Sequence, residues 1–122
     1  MFKNNADSQS RADSFIPNIL ETNQVYYILH PQSGVLVCES NGELVTSVIP
    51  VWSKRYLPYA KKYADGLSIQ EISIDEFINQ MLVAMIKDEI AVGINWDQLG
   101  FGAEIQSVEL YEQVKQLMLL EN

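Results

Sequence analysis

The chain holds one cysteine and one histidine, Cys38 and His30, and this pair is the first candidate for chemistry. A thiolate paired with an imidazole is a strong nucleophile. The two side chains would meet across a predicted hairpin if both faced the same side of it. No third residue that would orient the imidazole can be identified, a lone cysteine in a valine-rich strand is usually a core residue, and a histidine before a proline is usually a turn residue. We therefore predict no catalytic residue.

Pairs of carboxylates are the second candidate, because glycosidases use two carboxylates and because oxygen ligands suit hard metal ions. Three pairs occur: Asp75/Glu76, Asp88/Glu89 and Glu109/Glu112. The first and third pairs fall in the first turns of predicted helices, where acids interact favourably with the helix dipole, and the second pair ends a helix. The chain also lacks the ligands of a four-ligand zinc site. The prediction is solvated carboxylates, no metal and no cofactor.

Basic and aromatic residues alternate in one segment, as they do on surfaces that bind single-stranded nucleic acid. The basic residues are Lys54, Arg55, Lys61 and Lys62, and the aromatic residues among them are Tyr56, Tyr59 and Tyr63. Helical spacing places the tyrosines on one face and much of the charge elsewhere, which is typical of a core helix whose cations reach into solvent. The formal charge of −8 at pH 7 also opposes binding to nucleic acid and anionic lipid. No nucleic-acid or membrane partner is predicted.

The charge is divided unevenly along the chain. Residues 1–62 carry six basic side chains against five acidic ones, whereas residues 63–122 carry two against eleven, a net charge of −9. The length of 122 residues and the hydrophobic fraction of 48% are typical of one globular domain. The start of the chain lacks the apolar stretch of a secretory signal, and no apolar stretch approaches the roughly 20 residues of a membrane span. We expect one cytoplasmic domain over residues 1–122, with residues 1–6 disordered.

Apolar periodicity and turn signals define the elements of the first half. A helix is predicted to begin at Asp7 or Ser8, and Pro17 lies inside its apolar pattern, where it kinks or divides the helix. The predicted strands are Gln24–His30, Val35–Cys38 and Leu44–Val51, and the turns between them are Pro31–Gly34 and Asn41-Gly42. These strands predict an antiparallel meander. Pro50 belongs at a strand end or on an edge, because it has no N–H to donate.

The second half alternates helices and strands. The predicted helices are Ser53–Ala64, one beginning at the capping-box sequence Ser73-Ile74-Asp75-Glu76, and one beginning at Ser107; the predicted strands are Leu67–Ile72, Ile90–Trp96 and Ala103–Gln106. The helix after Ser73 carries a broad apolar stripe that includes Phe77 and Met85, so we expect it to lie across the sheet. Gly93 within a strand indicates a bulge or a close backbone approach. The predicted fold class is α+β, with an antiparallel sheet covered by about four helices.

Residues 25–117 carry short apolar motifs in a characteristic order. The motifs are Tyr27-Ile28-Leu29, Pro50-Val51-Trp52, Phe77 after Ser73-Ile74-Asp75, and Val92-Gly93-Ile94-Asn95-Trp96. With these motifs the chain resembles a family of small bacterial proteins classed only as a domain of unknown function. The resemblance implies a bacterial source and a compact α+β fold. It implies no activity and no site residue, and neither His30 nor Cys38 belongs to the matching motifs.

Function is predicted from what the sequence contains and lacks. The sequence contains no G-x-G-x-x-G, G-K-S/T, H-E-x-x-H or G-x-S-x-G motif, so common nucleotide-binding and hydrolase signatures are missing. We therefore expect a non-enzymatic accessory protein, of the immunity or inhibitor type, that binds a basic protein through its acidic C-terminal half. The residues expected at the partner or ligand surface are Trp52, Lys54, Arg55, Tyr56, Trp96, Asp97, Glu104, Glu109 and Glu112.

Two alternatives stay open. A small enzyme or ligand-binding domain would have a pocket near Trp52, Tyr56 and Trp96, with polar groups converging on it. A homo-oligomeric structural module would use spare aromatic and methionine surface as an isologous interface.

Overall fold

The computed structural model describes residues 5–40 and 47–121, which form helices on both faces of a mostly antiparallel sheet. The helices are α1 (Asn5–Asp13), α2 (Phe15–Thr22), α3 (Leu57–Ala64), α4 (residues 74–87) and α5 (Ser107–Glu121), and a 3-10 turn (Lys54–Tyr56) precedes α3. The strands are β1 (Val25–His30), β2 (Gly34–Val35), β3 (Cys38–Glu39), β4 (Ser47–Ser53), β5 (Ser68–Ile72), β6 (Ala91–Ile94) and β7 (Ala103–Ile105). The predicted α+β class is confirmed.

The sheet is centred on β1 and β4. Its long strands lie in the order β5, β1, β4, β6, β7, and every neighbouring pair is antiparallel except β4 with β6. That parallel pair requires a crossover, which α3, β5 and α4 supply between the two strands.

The predicted meander is wrong in one respect. Residues 34–39 do not form one strand, because β2 pairs with β1 through Leu29↔Val35 whereas β3 pairs with β4 through Cys38↔Val48. β1 and β4 also pair with each other, antiparallel, over three residue pairs. The first and third strands of a meander are parallel, so the chain reverses direction between β2 and β3. Direct pairing places β1 and β4 side by side in the interior of the sheet. The predicted Asn41-Gly42 turn lies outside the described residues.

Pro50 lies inside a central strand, which corrects the expectation of a strand end or an edge. Val51 accepts a hydrogen bond on the β6 side, from the N–H of Asn95 at 3.0 Å. Alternation then directs the Pro50 nitrogen to the other side of β4, where β3 pairs only as far as Val48 and β1 begins at Val51. The Pro50 nitrogen therefore faces a gap between β3 and β1. No ladder hydrogen bond is lost there, because no partner strand within the described residues lies opposite Pro50 on that side.

The first predicted helix is divided, as one of the two outcomes foreseen for Pro17. The break falls at Ser14, and Pro17 occupies the first turn of α2, where its missing N–H has no intrahelical partner to lose. Residues 1–4 of the segment expected to be disordered lie outside the described part of the chain, and Asn5 and Ala6 begin α1.

Each face of the sheet carries its own apolar core. On one face α2, α4 and α5 pack together, and the largest side chains there are Phe15, Ile19, Phe77, Ile78, Leu82 and Leu110. On the other face α3 packs against Tyr26, Ile28, Trp52, Ala91 and Trp96. In residues 5–40 and 47–121, no helix has both the length and the apolar character needed to cross a membrane.

Candidate functional site

Helix α4 is the element that positions the candidate site, and its start is fixed by the predicted capping box. The Ser73 hydroxyl accepts a hydrogen bond from the Glu76 N–H at 3.2 Å, and the Ser73 N–H donates to the Glu76 carboxylate at 3.4 Å. The Asn23 side-chain oxygen accepts from the Ile74 N–H at 3.0 Å. These bonds satisfy donors that a helix start otherwise leaves without partners. The predicted helix start is confirmed.

The middle of α4 is a π-helix, from Phe77 to Leu82. A π-helical turn is wider than an α-turn, and π-helical turns within α-helices frequently lie at functional sites. Here it keeps Phe77, Ile78 and Leu82 buried against the sheet while Gln80 and Met81 line an open groove. The apolar periodicity predicted the helix but carries no signal for this change of pitch.

The groove runs between α4 and the sheet and encloses about 390 Å³. Its sheet side is apolar and comes from Tyr27, Val35, Ile49, Ile72 and Ile90; its helix side comes from Glu76, Gln80, Met81, Ala84, Met85 and Asp88. Glu76 and Asp88 lie at opposite ends of the helix, twelve residues or about three turns apart, which is about 16 Å along the axis at 5.4 Å per turn. The groove is thus an apolar channel with a carboxylate at each end. Its flexible methionine side chains suit an adaptable binding surface.

The two tryptophans expected at a surface are buried instead. Trp52 donates its indole N–H to the Trp96 carbonyl at 2.8 Å, and Trp96 donates its own to the Ala103 carbonyl at 3.0 Å. Gly93 and Gly102 lie against the Trp96 ring, where a Cβ atom would clash. The predicted close approach at Gly93 is therefore present. Neither indole lines the groove, and both are core residues, which corrects their assignment to a partner or ligand surface.

The basic and aromatic members of the predicted surface lie at the 3-10 turn between β4 and α3, and none of them lines the groove. Lys54 and Arg55 are exposed at the 3-10 turn, and the Arg55 guanidinium lies 5.7 Å from the ring centre of the half-buried Tyr56. The Arg55 N–H donates to the Asn18 side chain at 2.9 Å. The Asp97 carboxylate accepts from the N–H groups of Leu99 and Phe101 and so shapes its own loop.

The acidic members are spread along β7 and α5. Glu104 accepts a hydrogen bond from the Ser40 hydroxyl at 2.5 Å, and Glu109 and Glu112 are exposed on α5. Glu104 and Glu109 line a second, polar cleft of about 300 Å³ between α1 and α5. Within the described ranges, no three histidine, cysteine or carboxylate side chains come close enough together to hold a metal ion.

Cys38 and His30 have different partners in the structure. The Cys38 thiol lies 3.5 Å from the Tyr63 hydroxyl, and the His30 Nδ1 accepts from the Gln32 N–H at 3.2 Å. Burial, and next the hydrogen bond with the thiol, raise the pKa of Tyr63 above its ordinary value. The interpretation of both residues as structural fits these contacts.

A buried polar cluster that sequence reasoning missed joins α1 to the ends of β4 and β6. Arg11 is 3% exposed and donates to the carbonyls of Asn95 and Phe101, each at 2.8 Å, and it pairs with Asp7. The Asn95 side chain accepts from the Ser53 N–H at 2.9 Å and donates to the Arg11 carbonyl at 2.9 Å. Every buried side-chain nitrogen and oxygen of this cluster has a hydrogen-bond partner within the described residues, which fits a structural role for the cluster.

These features place the protein in a class: an α+β domain with helices on both faces of a mostly antiparallel sheet and an open groove between α4 and that sheet. The family model described as "Protein of unknown function (DUF2750)" matches residues 12–114, so the chain belongs to that family. The resemblance to a domain family of unknown function is thereby confirmed. Neither a curated protein nor a solved structure matches the chain.

Proposed function

We propose that this protein is a non-enzymatic binding module for a basic partner protein, and that the α4 groove is where the partner binds. The observation that carries the proposal is the groove itself, an apolar channel with Glu76 at one end and Asp88 at the other. An apolar segment flanked by positive side chains complements both features, because its apolar side chains leave water while its charges face the two carboxylates.

The overall charge supports the same kind of partner. Residues 63–122 carry a net charge of −9, and they include both carboxylates of the groove. A field of one sign steers an oppositely charged partner towards the surface and raises its association rate at low salt. A reducing compartment such as the cytoplasm suits the free thiol of Cys38.

The spacing of the carboxylates favours binding over hydrolysis. Glycosidases hold their two carboxyl groups roughly 5 to 10 Å apart, across the bond that they cleave. Glu76 and Asp88 are separated by about three turns, or about 16 Å, of helix, so they cannot act on one bond together. Two charges at this distance suit an elongated ligand with a cation near each end.

The test is a capture experiment with three matched variants, read by quantitative mass spectrometry at low and moderate salt. Ala84→Trp fills the groove from an exposed position, and E76Q/D88N removes two charges while glutamine at 76 retains the capping box. E109Q/E112Q removes the same charge from α5, outside the groove. We expect the parent and E109Q/E112Q to retain one basic protein, Ala84→Trp to lose it, and E76Q/D88N to retain less. Equal recovery by all four proteins would contradict the proposal.

Self-association is a second candidate, supported by the exposed leucines at the end of α5. Leu119 is 73% and Leu120 75% exposed, and Leu117 and Leu120 line an apolar hollow of about 400 Å³ together with Pro17 and Leu20. Such a surface suits an isologous dimer contact. Sedimentation equilibrium of the parent and of Leu120→Lys tests it: a parent that stays monomeric at all concentrations ends this candidate.

A further inference from the structure

Strand β5 is an edge of the sheet with few of the features that protect edges. It pairs with β1 over five residues, from Val25↔Ile72 to Leu29↔Ser68, and no other strand of the described residues lies beside it. Natural edge strands are commonly shortened or bulged, or carry proline or charged side chains, lysine above all, because an open edge is a template for another strand. The sequence of β5, Ser-Ile-Gln-Glu-Ile, contains neither lysine nor proline, and its one charged residue, Glu71, is negative and so repels acidic segments but attracts basic ones.

The direction of the peptide groups of β5 follows from the hydrogen bonds of β1. The Ile28 carbonyl accepts from the Leu36 N–H at 2.9 Å, so the peptide groups of Ile28 face away from β5. Because bonding direction alternates along a strand, Tyr27 faces β5 and pairs there with Gln70. The N–H and C=O groups of Ile69 and Glu71 therefore point outward, away from β1.

The outward edge is continuous with the groove. Ile72, the last residue of β5, lines the groove, and Glu76 at the groove's end follows one turn later. The exposed carboxylates beside this edge are Glu71, Asp75 and Glu76. An extended basic segment suits this edge, since a strand advances about 3.3 Å per residue and about five residues cover the length of the groove. A second copy of this chain suits it less, because it would bring a further net charge of −8.

We propose that the basic partner adds an extended strand to the β5 edge, bonded to the main chain of Ile69 and Glu71, and that the strand continues past Ile72 into the groove. This inference rests on the proposed function and supplies its binding mode. Main-chain hydrogen bonds give such strand addition its affinity, and alternate side chains give its specificity.

The probe is a capped hexapeptide of alternating lysine and valine, followed by amide hydrogen exchange of the full-length protein. A peptide with glutamate in place of lysine and a peptide N-methylated on alternate residues are the controls. We expect the basic peptide to slow exchange at Ile69 and Glu71 by at least about tenfold, and neither control peptide to do so.

A pair of variants separates main-chain bonding from charge. Glu71→Pro removes an N–H that faces outward and leaves the bonds between β5 and β1 in place, whereas Glu71→Gln keeps the N–H and removes the charge. We expect Glu71→Pro to abolish the protection at Ile69 and Glu71→Gln to retain it.

Four results would overturn the inference, and they show whether strand addition alone or the basic partner as well is wrong. Binding that perturbs the groove methionines without protecting Ile69 and Glu71 would leave the proposed function in place and remove strand addition. Protection that rises with protein concentration in the absence of peptide would identify a second copy as the occupant. The proposal of a basic strand would be wrong if the glutamate peptide bound as well as the lysine peptide. It would also be wrong if the lysine peptide did not bind at millimolar concentration.

Discussion

Replacing Asn95 by alanine tests whether the buried polar cluster stabilises the fold by joining α1 to the ends of β4 and β6. Asn95 is fully buried and has a φ of +50°, a conformation that asparagine tolerates better than alanine. Its side chain is the acceptor for the Ser53 N–H and a donor to the Arg11 carbonyl. In the variant the Ser53 N–H has no acceptor, while the Arg11 carbonyl keeps the Ser14 hydroxyl at 2.8 Å.

The magnitude follows from these contacts. A buried donor without an acceptor costs about 1 to 3 kcal/mol, and the loss of the second hydrogen bond adds about 1 kcal/mol. Alanine at positive φ adds about 1 kcal/mol. We therefore expect Asn95→Ala to lower the free energy of unfolding by about 4 kcal/mol, summed over these three terms.

Urea unfolding followed by tryptophan fluorescence measures this free energy. Asn79→Ala is the matched control, because Asn79 is exposed and its side chain bonds to Asp75 on its own helix, and we expect it to change stability by less than about 0.5 kcal/mol. Asn95→Gly relieves the backbone strain and keeps the hydrogen-bond loss, so it should fall between the parent and Asn95→Ala. A loss below about 1 kcal/mol in Asn95→Ala would refute the assignment of a structural role to the cluster.

Three further predictions concern the core, the start of α4 and the response to pH. Gly93→Ala should cost about 1 to 3 kcal/mol in unfolding free energy, because the added Cβ meets the Trp96 ring, and an unchanged urea midpoint would contradict this. Ser73→Ala should cost about 1 kcal/mol by removing the cap of α4, and a thermal midpoint equal to that of the parent would argue against the capping box. Burial and the Cys38 thiol raise the pKa of Tyr63 above 10, so its neutral form stabilises the fold below pH 10 and that contribution is lost as the pH rises further. The free energy of unfolding should fall more steeply above pH 10 in the parent than in Tyr63→Phe, and parallel curves would contradict it.

The helices were largely predictable because their signals are local. The capping box at Ser73 and the apolar stripe after it lie within a few turns of each other, so sequence spacing alone located α4. The pairing of β1 with β4 was not predictable in this way, because it joins segments that are far apart in the sequence. It depends on which apolar strands bury most area together, and the local hairpin signals on either side of residues 34–39 favoured a meander instead.

The site was less predictable because its residues come together only in the tertiary fold. Arg11 and Asn95 are 84 residues apart, and no spacing rule connects them. The burial of Trp52 and Trp96 depends on packing against α3, and the room for the Trp96 ring depends on glycines at positions 93 and 102. The groove combines β1, β4, β5 and a π-helical segment, and the sequence has no marker for that segment's pitch.

The most direct test of the groove as the binding site uses the methionine methyl groups as reporters. Met81 and Met85 line the groove, and Met118 lies on α5 outside it. The protein is labelled with ¹³C at its methionine methyl groups and titrated with the basic protein recovered by capture. If the partner binds in the groove, the Met81 and Met85 signals shift and the Met118 signal stays in place. A shift of Met118 with Met81 and Met85 unchanged would contradict binding in the groove.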